Sequence, residues 1–131
     1  MRRLVNPIFV FALVVCGLPV LVSSPAQAAA DEWLNALTAM VEQHRYFAAV
    51  EGRGAAYEPY LAQLQTARLA LSQGDTEAVY VAMNRFMDML QQAPEAAGIP
   101  LWSAKALFNF CGEVTPPMYH DLSRHAVHEA V

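Results

Sequence analysis

Cysteine is scarce in this chain: only Cys16 and Cys111 occur among 131 residues. That count excludes haem attached through Cys-x-x-Cys-His, and it excludes a cysteine-built zinc finger. Charge is scarce as well. Lys, Arg, Asp and Glu make up 15 % of the residues, with a formal balance of −4. A chain without a basic surplus has no electrostatic footprint for nucleic acid or anionic lipid. Glycine occurs six times, and never as a phosphate-cradling loop. Gly52-Arg53-Gly54 reads as a turn that lacks the rest of any nucleotide fingerprint. The His-Glu-x-x-His zinc-protease motif, the nucleophile elbow and a convincing carboxylate dyad are all missing. Catalysis is therefore not the expected role.

What is present begins at the N-terminus. Met1-Arg2-Arg3 supplies positive charge, Leu4 to Val22 is almost wholly apolar, and Ala26-Gln27-Ala28 offers small residues at −3 and −1 of a cut. That order predicts a signal peptide over residues 1–28, cleaved after Ala28. A retained anchor is the competing reading, because the run has about the length of a bilayer span. Pro7 and Pro19 interrupt it, and Asp31 and Glu32 follow it where a stop-transfer segment would be basic. Lipidation at Cys16 is disfavoured by Val15, which occupies a place that wants a small side chain. A twin-arginine signal is excluded by the position of the Arg pair. The expectation is a periplasmic or secreted protein whose working part, residues 29–131, forms one domain. That part carries six cations against twelve carboxylates, a balance of −6. It suits solubility or a cationic partner. With Cys111 the one thiol left, stability has to come from apolar packing, a ligand or self-association, a dimer included.

Five apolar-periodic segments bounded by Gly or Pro follow. The first, about Asp31–Val50, has Asp31 as its expected N-cap and a stripe of Trp33, Leu37, Met40, Val41, His44, Phe47 and Ala48. The second, about Ala55–Gln73, shows Tyr57, Tyr60, Leu61, Leu64, Ala67, Arg68 and Leu71. Gly74-Asp75 closes it and caps the third, about Thr76–Ala93, with Val79, Ala82, Met83, Phe86, Leu90 and Ala93 on one side. The fourth, Pro100–Cys111 with Gly112 as its stop, is apolar nearly all round. The fifth starts at Thr115 with Pro116-Pro117 in its first turn. Short connections and no alternating strand pattern predict an all-α fold: a small antiparallel bundle of four core helices plus a C-terminal one.

Three groups of residues are able to carry chemistry. Asp121, Arg124, His125, His128 and Glu129 share one face of the fifth segment at helical spacing, with His120 further round. Two imidazoles and a carboxylate within two turns suit Zn²⁺, Cu²⁺ or Ni²⁺, although a polar face near a chain end is more often merely solvated. His44 stands inside an apolar stripe. Met83 and Met87, an i, i+4 pair, could approach it, and imidazole with thioether suits haem b iron or copper. Methionine as core filler and a hydrogen-bonded core His are the bland alternatives. Cys111 reads first as buried packing, then as an intermolecular disulfide, then as a soft copper ligand with Met118 and His120.

The bend from Cys111 to Asp121 gathers rigid proline, an aromatic ring, a His and acids. Trp102, Phe110, Tyr119, His120 and Asp121 are accordingly the expected partner-binding residues. They are equally able to belong to the core. Two functions follow. One is a small exported helical accessory or binding protein that engages a protein or small ligand through a surface. The other is a metal- or haem-binding bundle for metal handling or electron transfer.

Overall fold

The computed structural model describes residues 25–121, with side chains from Ala30 onward. Four α-helices occupy most of that span: α1 (Pro25–Val50), α2 (Glu58–Ser72), α3 (Thr76–Gln91) and α4 (Leu101–Val114). Single 3-10 turns lie at Gly54–Tyr57 and Pro117–Tyr119. No strand occurs among the described residues. The fold is all-helical.

Helix ends explain how the chain turns. After α1, Gly52 takes φ +75°, and the Arg53 and Gly52 amides donate to the carbonyls of Ala48 and Ala49. After α2, Gly74 takes φ +69°, and the Asp75 and Gly74 amides donate to Ala70 and Leu71. Both are the paired bonds of a Schellman cap, which needs a left-handed residue that glycine supplies without steric cost. Asp75 then opens α3, its carboxylate accepting the Ala78 amide at 3.0 Å.

Five boundaries depart from the sequence expectation. Helix α1 begins at Pro25, so Asp31 is interior and caps nothing. Proline suits a first helical turn, and the alanines at 26 and 28–30 are the strongest helix formers. The second segment enters through a 3-10 turn, and α2 proper begins at Glu58. Helix α3 stops at Gln91, and Ala93, expected on its apolar face, is exposed at φ +49°. Helix α4 runs past Gly112 to Val114. The roughly 1 kcal/mol that glycine costs a helix is outweighed by packing around it, and the stop comes at Thr115, which extends before Pro116. The fifth helix is, within the described residues, only the turn Pro117–Tyr119, because Pro116 and His120 are extended on either side.

One buried cluster draws on all four helices. Leu34, Leu37 and Val41 come from α1, Leu64 and Ala67 from α2, Met83, Phe86 and Met87 from α3, and Leu107, Phe108 and Cys111 from α4. Full burial of a side chain of this size contributes roughly 1.5–3 kcal/mol, so these residues dominate stability. Helix α1 packs on α2 and α4, and α3 packs on the same two. Polar ties fix the register. Arg68 of α2 reaches Asn35 and Thr38 of α1, while Arg45 further along α1 reaches Glu58 at the start of α2. Gln63 donates to the Ala82 carbonyl, and Tyr60 donates to that of Met89. No helix among the described residues is long and apolar enough to cross a membrane.

Candidate functional site

The end of α1, the 3-10 turn after it and the start of α4 meet at one end of the molecule. Three polar side chains are brought together there. Ser103 Oγ lies 2.7 Å from His44 Nδ1 and 2.8 Å from the Tyr57 hydroxyl. Ser103 and Tyr57 are buried and His44 is half-buried. The direction of the bonds follows from counting donors. If Tyr57 O–H donates to Ser103 and Ser103 O–H donates to His44 Nδ1, every buried hydroxyl proton has an acceptor. In the other two orders the Tyr57 or the Ser103 proton has none among the described residues, and an orphaned buried donor costs about 1–3 kcal/mol. His44 is therefore neutral with its proton on Nε2, which has no acceptor among the described residues. Burial lowers the His44 pKa from its ordinary 6.5.

Trp102 covers this histidine. The two ring centroids are 5.6 Å apart at 35°, yet Trp102 remains 66 % exposed. Tyr46, Phe47 and Val50 on the last turns of α1 are also exposed, and the Tyr46 and Phe47 rings meet edge to face at 5.9 Å. They are spread round α1, Tyr46 about 160° and Val50 about 120° from the His44 side that meets α4. Arg45, about 100° round α1 from His44, faces α2 through Glu58. Phe47 lies about 60° round in the opposite sense, on the α4 side where Trp102 sits. Tyr46 lines an open groove of about 660 Å³ together with Glu42, Arg45, Ala49, Gly54 and Glu58. The charges there are paired internally, Arg45 with Glu42 and Glu58 and Arg53 with Glu51, which leaves one carboxylate in excess.

The expected partner-binding residues do not form one surface. Trp102 stands at the start of α4, and the other four lie near or beyond its end. Phe110 is half-buried against the core, His120 is buried, and Tyr119 stacks on Trp33 at 5.7 Å. The Asp121 amide donates to Asn84 Oδ1 at 3.3 Å. Trp33 itself keeps a buried indole N–H with no acceptor among the described residues.

Of the expected metal set, Met83 and Met87 are wholly buried on α3. The groups that meet His44 are Ser103 and Trp102 of α4. Neither methionine meets His44 through a contact of the described residues; its polar neighbour is the Ser103 hydroxyl. His125 and His128 lie outside the described residues. Among the described residues no three His, Cys, Asp or Glu side chains gather to hold a metal ion. Cys111 is a free buried thiol whose hydroxyl neighbour is Thr115 at 3.5 Å, and burial pushes its pKa up to about 11.

Sequence reasoning passed over Ser103, Tyr46 and the role of Tyr57. One signal was available. A serine in an apolar helix and a histidine in an apolar stripe each need a partner, and they can satisfy each other. Compared with protein-family models, curated proteins and solved structures, the chain matches none of them.

Proposed function

We propose that this is a small exported accessory or binding protein, an antiparallel helical bundle that acts through the aromatic surface around Trp102. The observation that carries the reading is the pairing of exposure with rigidity at that place. Trp102 is held on the first turn of α4 against His44 of the hydrogen-bond chain, and two-thirds of its surface still faces water. Rigid aromatic side chains lose little entropy on binding and dominate interface energetics. Single exposed apolar residues are ordinary, whereas several gathered at one end of a small domain mark a contact site.

Export rests on the charged, apolar and small-residue order of positions 1–28. The antiparallel arrangement is supported by the crossed ties, in which early α1 meets late α2 and early α2 meets late α3.

The test is photo-crosslinking in the producing cell. A photoreactive residue is placed in turn at Trp102, at Phe47 and at Leu69, which is equally exposed elsewhere on α2. The reading predicts adducts from the first two positions that Leu69 does not give. Identical adducts from all three, or none, would contradict it.

A further inference from the structure

We infer that helix α3 is a contact between two copies of the chain, which cross through the row Glu77–Val81–Arg85 on a two-fold axis. The row lines the α2–α3 edge of the bundle, opposite the α1–α4 edge that carries Trp102. Either surface can therefore fail without the other.

The first observation is a groove with a ridge at its side. An open groove of about 520 Å³ lies between α2 and α3. Ala78, Val81 and Ala82 line it from α3, with Gln63 and Thr66 on α2. Val81 is 59 % exposed there.

The second is charge. Glu77 and Arg85 line the same groove, and both are exposed. The ion pairs among the described residues employ Arg45 and Arg53, and neither Glu77 nor Arg85 enters one. Each stands four residues from Val81, so about 6 Å along the helix axis and 40° round it, in opposite senses. Asp75 adds to the Glu77 end. Two carboxylates there outweigh the positive half-charge of the α3 N-terminus. The groove is thus acidic at one end and cationic at the other.

The third is symmetry. An i, i+4 row is the ridge through which helices most often cross, at about 50°. A two-fold axis at Val81, perpendicular to the row, reverses its order. Glu77 of each copy then lies beside Arg85 of the other, and the two Val81 side chains meet between those pairs. Ala78 and Ala82 are small enough to receive the ridge. An unrelated partner would have to carry the same order reversed, whereas a second copy has it by construction, as an isologous contact requires. The chain has a balance of −4, so copies repel over most of their surface. Opposite charges at both ends of this row select where they meet. Tyr80, about 100° round α3 from Val81, stays outside the contact.

One helical row and its groove bury less than a standard interface, so the dimer is reversible, with a dissociation constant on the order of 100 µM. The experiment is sedimentation equilibrium of the protein as the cell delivers it, from about 10 µM to 1 mM, a range that brackets that value. It is run for the natural chain, for Glu77→Arg, for Arg85→Glu, and for an equimolar mixture of these two variants. Glu95→Arg, at an exposed position outside the groove, controls for the change in net charge. Circular dichroism checks that each protein is folded. The natural chain is expected to dimerise, and each reversal to weaken the dimer at least about tenfold, because both cross-pairs become repulsive. The mixture is expected to recover it, because two cations then face two carboxylates. Glu95→Arg is expected to dimerise like the natural chain. A natural chain that stays monomeric throughout, as it would if the groove served a different protein, would overturn the inference. So would reversals that act no more strongly than Glu95→Arg, or a mixture that recovers nothing.

Discussion

Ser103 is the residue on which the most groups depend. It accepts from Tyr57 and donates to His44, and it has no exposed surface. Replacing it with alanine leaves a buried phenol O–H and an imidazole nitrogen facing a methyl group. The expected loss is about 1–3 kcal/mol, read as a lower urea midpoint for Ser103→Ala at unchanged helicity. His44 makes the same network sensitive to acid. Its folded pKa is lowered, so the neutral form is favoured in the folded state. Its contribution is complete above the unfolded value near 6.5 and is lost as pH falls through the lower folded one. Urea midpoints should therefore drop between pH 7.5 and pH 5. They should drop less in His44→Gln, which has no imidazole to protonate. Equal pH dependence in the two proteins would show that His44 is not held neutral.

Element boundaries show where sequence reasoning succeeds and where it stops. The four helices were legible because apolar residues recur at helical spacing between strong punctuation. Gly74-Asp75 did what its residue types dictate at both ends of the α2–α3 turn. The errors fall where two local preferences compete. Gly112 was read as a stop, but packing holds it inside α4 until a proline intervenes. Asp31 was read as a cap, but alanines before it carry α1 back to Pro25. Ala93 is the clearest misfit. It adopts φ +49° after α3, a conformation that costs an L-residue about 1–2 kcal/mol. Ala93→Gly relieves that strain and loses part of the gain through a freer unfolded chain. The net expectation is a stabilisation of up to about 1 kcal/mol, measured by chemical denaturation. A destabilised variant would mean that the methyl group makes contacts that matter more than its strain.

At the scale of the molecule, the candidate site was only partly legible. His44 and Trp102 both stood out, one as a polar residue in an apolar stripe and the other as an aromatic anchor. Their meeting across α1 and α4 depends on a register that neither periodicity records, since 58 positions separate them. Phe47 was assigned to the core stripe because it recurs at the right spacing. It is exposed because it falls at the edge of that stripe, beyond the reach of α2. The same register places Trp102 at the other end of α4 from Tyr119 and the buried His120, so the expected surface divides. What remains at the α1–α4 end is the exposed Trp102 ring against His44, with Phe47 also exposed on α1.

The central claim is that this patch is covered when the protein works. Hydroxyl-radical footprinting tests it most directly, comparing the dilute purified protein with the protein in the compartment where it resides. Phe47 and Trp102 report on the patch, while Tyr80 and Met118 are exposed side chains elsewhere. The account predicts that oxidation of the first two falls in the native setting while that of the other two does not. Oxidation of all four at the dilute rate, scaled alike, would contradict it.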